Sequence, residues 1–300
     1  LKKRVKTGEP YMMFIDNANR NLPQNWNKHN LKVKHSNLCS EIFLPTDGEH
    51  TLVCCLSSLN LYKYDEWKDT NTVRLAIFFL DAVIEEFIQK SSNIKGIEDS
   101  TRFAIKSRAL GLGTLGYHTY LQSKNIPFIS IYANGQTNKI FSYIRDQADQ
   151  ASNELAEMFG EPEWCKGTGF RNLTKLAIAP NRSSAKLAGG ISQGVEPIAA
   201  NIYVDDDSKG IHIRRNPELV KLLESKERNI PEVWDQIIED KGSVANIRCL
   251  SEEEKEVFKT FKEINQLELV KQAGIRQQYL DQGQSINLAF PQDAPAKFIN

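Results

Sequence analysis

Three hundred residues with 40% hydrophobic and 25% charged content have the composition of an ordinary soluble globular chain, long enough for one large domain or two average ones. The 38 basic residues cancel the 38 acidic ones, which argues against a bulk nucleic-acid-binding surface while leaving room for a local basic patch. The longest apolar run, LAIFFLDAVIEEFI, is broken by Asp81, Glu85 and Glu86 and is too short and too charged for a membrane span.

Five cysteines at irregular spacing do not make a secreted disulfide framework, and with no signal peptide a reducing cytoplasm is the expected setting. The chain opens on Leu1 and stops after PAKFIN, so it reads as a fragment of a longer polypeptide.

In chain order, residues 10–20 read as a short helix and 31–45 as extended or looped. TLVCCLSSLNLY (51–62) reads as a buried strand, uncharged and rich in Leu and Val. A long helix is expected over 69–91, with Phe78, Phe79, Val83, Phe87 and Ile88 on or near one face. STRFAIKSRALGLGTLGYHTYLQSKN reads as a second helix despite its glycines, and residues 130–160 as a third, ended by Gly160 and Pro162. LTKLAIAP (173–180) is an expected strand ending in a turn, and NIYVDD and GIHIRR flank DSKG as an expected hairpin. Asn216 and Pro217 announce a helix start, 230–280 is mostly helical, and SINLAF (285–290) is a last strand. Strands separated by long helices predict a largely parallel α/β fold in a single domain over 1–300.

Two candidate motifs are set aside. GLGTLG (Gly111, Gly113, Gly116) matches the dinucleotide fingerprint as a string, but it follows an amphipathic charged segment and lacks an acidic-ended second strand, so close helix packing is its expected role. His118 and His212 read as satisfied structural residues, Cys165 and Cys249 as structural thiols, and VDDDSKG as an exposed hairpin turn.

SNLCSEIFLP (36–45) is more pointed. Asn37, Cys39 and Glu41 occupy alternate positions and share a face if the segment is extended. Activation of Cys39 as a nucleophile by His35 or His50 is disfavoured, because the Glu41 charge opposes thiolate formation. Two readings stay open: a thiol that works as neutral S–H, as in hydrogen-atom transfer, or a buried cysteine with polar neighbours. Adjacent Cys54 and Cys55 would point to opposite faces of a strand, with no metal-ligand spacing around them. APNRSSAKLAGG (179–190) places hydroxyls and Arg182 at a turn before a helix, which suits a phosphate or an ordinary Ser-capped helix.

Together NLCSEIFLP, TLVCCLSSLNL, APNRSSAKLAGGISQGVEPIAANIYV and the leading KTGEPYMMFIDNANR resemble the catalytic large subunit of class I ribonucleotide reductase, in order and over nearly the whole chain. The resemblance implies a ten-stranded α/β barrel with a catalytic finger loop through its centre. It implies reduction of ribonucleoside diphosphates to 2′-deoxyribonucleoside diphosphates by thiyl-radical chemistry. In that scheme Cys39 carries the radical, Glu41 acts as base toward the 3′ hydroxyl, Asn37 holds the reacting hydroxyls, and Cys54 is one of two reducing thiols. The other thiol is expected upstream of residue 1, and Cys55 stands where the family requires no cysteine. Pro180, Asn181, Arg182, Ser183 and Ser184 would grip the diphosphate, with GGISQGVEP supporting the floor.

The resemblance also implies no cofactor in this chain, a radical delivered by a separate metal-containing small subunit, thioredoxin or glutaredoxin as reductant, a homodimer of large subunits, and nucleotide effectors bound outside these residues. No nucleic acid or membrane partner is expected, and the fragment alone is expected to be inactive. A cobalamin-dependent reductase or a glycyl-radical acyl lyase of the same barrel type are the rival enzymes. A decayed binding domain and a cysteine hydrolase are the rivals from other classes.

Overall fold

A parallel wall organises the chain, described by a computed structural model over residues 3, 7–9, 11–207, 210–290 and 295. β1 (Leu56–Asn60) pairs in parallel with β2 (Gly111–Leu115), Leu56 opposite Gly111 and Asn60 opposite Leu115. Leu112 then bridges Leu176, and Ile178 bridges Gln284, both in parallel. Backbone bonds from the Leu112 amide to the Lys175 carbonyl (2.7 Å) and from Ile178 to Gly283 (3.1 Å) complete the contact. Four segments therefore stand side by side in chain order, as a part of the expected barrel among the described residues.

Helices make the crossovers that parallel strands require. α1 (Ile15–Arg20) and α2 (Gln24–Lys28) precede the wall. α3 (Tyr64–Trp67), α4 (Thr72–Ser91) and α5 (Glu98–Ser107) connect β1 to β2, while α6 (Tyr117–Ser123) and α7 (Ile131–Phe159) follow β2. α8 (Arg182–Leu187) comes next, then the antiparallel hairpin of β3 (Ile202–Asp207) and β4 (Gly210–Arg215). α9 (Pro217–Ser225), α10 (Pro231–Glu239), α11 (Glu252–Val257) and α12 (Gln266–Gln277) close the order. The main core joins Ile77, Leu80 and Ile84 of α4 to Ile140, Ile144 and Ala148 of α7, and α9 to α11 gather round Trp234 in a core of their own.

The hairpin, α4, α7 and the Asn216 cap, whose side chain accepts the Glu218 amide at 3.1 Å, follow the sequence reading. Several details do not. On α4 the buried stripe runs through Val73, Ile77, Leu80 and Ile84, whereas Phe79 and Val83 face outward. The first helix covers only Ile15–Arg20, with residue 10 outside the described set. Residues 51–55 and 285–290 are not strands, although the Ser285 amide still bonds the Ile178 carbonyl at 2.8 Å. Asp205, expected in an exposed turn, is buried and paired with Lys186 and Arg214; turn residues 208 and 209 lie outside the described set.

The largest departure is at GLGTLG. One expected helix is instead α5, then β2, then α6, with Arg108 and Gly116 turning the chain at φ 42° and 79°. β2 is buried throughout because backbone presses on it: a Cβ on Gly113 would lie 2.4 Å from the Ala177 carbonyl oxygen. Glycine in a strand at such a close approach carries no helix-breaking meaning. The expected close helix packing is replaced by the packing of a strand against its neighbouring segments.

Candidate active site

The Asn37–Ile42 segment is a turn and not an extended run. The Asn37 amide donates to the Ile42 carbonyl and the Ser40 amide to that of Asn37, both at 3.2 Å, with Ser40 in the left-handed region at φ 66°. The shared face expected from alternation is replaced by a tip at Leu38 and Cys39, both exposed. Asn37 makes the turn possible: its Oδ1 accepts the amides of Glu41 and Ile42, each at 3.1 Å. Its NH2 group remains to serve another acceptor. Below the tip, Ile42 and Leu44 enter the core and Val33 bridges Pro45, so the segment forms a finger with a closed base.

The finger is stapled to the last segment of the wall. Gly283 donates its amide to the Glu41 carbonyl at 2.7 Å, and a Cβ there would meet the Phe43 ring at 2.4 Å. The Gln282 carboxamide accepts the Phe43 amide at 3.1 Å and donates to the Leu110 carbonyl (3.3 Å) and Thr174 Oγ1 (3.0 Å). Asp281 accepts the Lys175 and Leu176 amides at 2.7 and 2.9 Å. None of these three residues was marked by the sequence, because their partners lie far away in the chain.

Glu41 is only 1% exposed, and its Oε2 is buried without a hydrogen-bond partner among the described residues. A buried polar atom left unpaired costs free energy and is paired in most folds, so this oxygen marks a place for a ligand group. Around it stand two thiols. Packing raises the Cys39 thiol, and the Glu41 carboxylate raises it further. Packing, then Glu41, then Cys39 raise Cys54, so the three groups share one electrostatic neighbourhood. Both thiols are accordingly held as neutral S–H at neutral pH.

Neither histidine supplies a base to Cys39. His35 pairs with Thr46 Oγ1 at 3.1 Å, and His50 Nδ1 with Asp47 at 2.8 Å. Cys55 points the other way, toward the Leu80 carbonyl at 3.5 Å, with burial pushing its thiol up to about 11. Cys165 is buried and pushed up to about 12; fully buried His118 accepts the Ile198 amide at 3.0 Å, but its Nε2 has no partner among the described residues, so the expected satisfied histidine is satisfied at one nitrogen only.

The Pro180–Ser184 turn sits at the other end of β2. Asn181 adopts φ 57° and its Nδ2 donates to the Thr114 carbonyl at 3.2 Å. The α8 start has no side-chain cap, which removes the Ser-capped-helix alternative. Arg182, Ser183 and Ser184 are exposed, and the first amides of a helix lack intrahelical acceptors. Lys186 ties α8 to Asp205 of β3. Next to it, Ser192 and Thr119 bond each other's amides at 3.1 and 2.9 Å and pin the GGISQG floor. Among the described residues no group of His, Cys, Asp and Glu could hold a metal, and no helix is long and apolar enough to cross a membrane.

This finger, wall and turn belong to a known architecture. The family described as "Ribonucleotide reductase, barrel domain" matches residues 1–168 and 162–300. The chain is 44% identical over 292 residues to a putative ribonucleoside-diphosphate reductase large subunit of Frog virus 3, covering 97% of this chain and 52% of that protein. It is 40% identical over 304 residues to the large subunit of Invertebrate iridescent virus 3, covering 99% and 48%. The solved class Id ribonucleotide reductase alpha subunit of Actinobacillus ureae superposes with a TM-score of 0.94 at 45% identity, covering 99% of this chain and 55% of that one. The chain belongs to the ribonucleotide reductase barrel-domain family. It spans about half the length of the curated relatives it matches.

Proposed function

We propose that the chain is the catalytic barrel of a class I ribonucleoside-diphosphate reductase large subunit, making 2′-deoxyribonucleoside diphosphates for DNA synthesis. The observation that carries this reading is the buried, unpartnered Glu41 Oε2 with the neutral thiols of Cys39 and Cys54 about it. A separate metal-containing subunit would supply the radical oxidation of Cys39.

With its sulfur one electron short, Cys39 takes the hydrogen atom from C3′ and Glu41 accepts the 3′ hydroxyl proton. Asn37, whose Oδ1 is spent on the loop, would orient the hydroxyls through its NH2. The 2′ hydroxyl leaves as water. Two electrons and two protons come from a pair of thiols that end as a disulfide; Cys54 is one, and the other would come from chain outside these residues. Cys39 returns its hydrogen to C3′, so the radical is regenerated. Along β2, whose five residues span roughly 16 Å, the substrate would run from the finger toward the Pro180, Asn181, Arg182, Ser183 and Ser184 turn, where the diphosphate lies.

Thioredoxin or glutaredoxin, a second large subunit and a cytoplasmic setting complete the reading. The test uses a large subunit carrying this barrel, assayed with its radical-generating subunit and a dithiol reductant. C39S and E41Q should each abolish deoxyribonucleotide formation while leaving CDP binding in place. Turnover that survives C39S overturns the assignment; deoxyribonucleotide formation by the isolated chain would refute only the expectation that the fragment alone is inactive.

A further inference from the structure

A second site lies on the outer side of the finger's base. A cavity of about 370 Å3 is lined by Lys32, Lys34, His50, Lys106 and Trp164. Val33 is buried and held by Asn19, whose side chain bonds both its amide (3.0 Å) and its carbonyl (2.8 Å). With Val33 fixed inward in a locally extended chain, the neighbouring lysines are thrown together to the opposite side.

The acids in the cavity are already committed, Asp47 to His50 at 2.8 Å and Glu163 to Lys106 at 3.3 Å. Lys32 and Lys34 have no ion pair among the described residues, in a chain whose total charge is zero.

His50 adds the specific element. It is 7% exposed, its ring lies against Trp164 with centroids 5.1 Å apart, and its Nε2 is buried with no partner among the described residues. Nδ1 faces the Asp47 carboxylate, so Nε2 is the ring nitrogen left for a further partner. A phosphate can meet Nε2 with either a P–O–H or a negative oxygen and still offers negative oxygens to the lysines. We propose that this cavity binds a phosphate-bearing small anion, held by Lys32, Lys34 and His50, at a site separate from the Arg182 turn.

Titrating the chain with inorganic pyrophosphate by calorimetry tests it. R182A should retain a saturable pyrophosphate site, and adding K32A and K34A should weaken that site by at least about tenfold, the loss expected for charge-assisted contacts. Both lysines are exposed, so circular dichroism should be unchanged. Displacement of the pyrophosphate by ADP in the R182A background would assign the phosphate to a nucleotide, and its retention to the inorganic anion. Loss of all pyrophosphate binding in R182A alone, or binding unaffected by the lysine changes, overturns the proposal. Failure of the substrate reading shows separately, as ADP affinity that R182A does not alter.

Discussion

Gln282 and Phe43 are 239 residues apart in sequence, yet the Gln282 side chain accepts the Phe43 backbone amide at 3.1 Å. The same carboxamide bonds Leu110 and Thr174, so one buried side chain holds the finger to two segments of the wall. Q282A should cost about 2–4 kcal/mol, because it strands several buried polar groups. Urea denaturation measures the loss, and Cys39 should become faster to alkylate as the finger loosens. Unchanged stability with unchanged alkylation would remove Gln282 from this role.

Cys39 should behave as a reluctant thiolate. Burial and then Glu41 push its thiol pKa up, so its iodoacetamide rate should stay low at neutral pH and climb only above the ordinary thiol range. E41Q removes the opposing charge and should shift the profile to lower pH. Mass spectrometry of the Cys39 peptide follows the reaction; rapid labelling of the wild-type chain near pH 7 would restore the hydrolase reading.

G113A should be poorly tolerated. The added methyl would sit 2.4 Å from the Ala177 carbonyl oxygen and 3.4 Å from the Ile178 Cα, backbone atoms that cannot easily yield. About 1–3 kcal/mol of destabilisation is expected, more if the wall cannot shift. Thermal denaturation reads it, and a wild-type melting temperature would show that the two segments are less tightly pressed.

Asp81 is a buried anion compensated by arginines. Burial alone would raise its carboxyl, but the bonds and charge of Arg108, at 2.8 Å, and of Arg171 hold it below the ordinary aspartate range. Since the folded value is the lower one, its stabilisation is full above the unfolded aspartate pKa and disappears as pH falls through the folded value. D81N should cost about 3–5 kcal/mol at pH 7. Urea midpoints of the two proteins should converge as pH falls below the ordinary aspartate range; a constant gap would mean that the loss is packing and not charge.

What the sequence revealed follows from range of interaction. α4, α7, the Asn216 cap and the hairpin rest on local periodicity and turn chemistry, and they were legible. Cys39, Glu41 and Cys54 were singled out by motif, but the turn that carries Cys39 and Glu41 was not legible, since Asn37 builds it with its own side-chain oxygen. Gly283 and Gln282 were invisible because their partners are in the first half of the chain. β2 was misread as helix because its glycines answer to Ala177, a residue in another segment.

The parallel order of the wall has a consequence for how the protein is made. Its segments stand in the order in which they leave the ribosome, but the staple that joins the finger near residue 40 to the last segment of the wall is made by Gln282 and Gly283. The thiol at the tip therefore stays unclamped while some 240 residues are still being added, the interval set by the 239-residue separation. Completion of the finger coincides with closure of the wall, so a chain released short of residue 282 would carry every residue of the Cys39 motif without the frame that holds it.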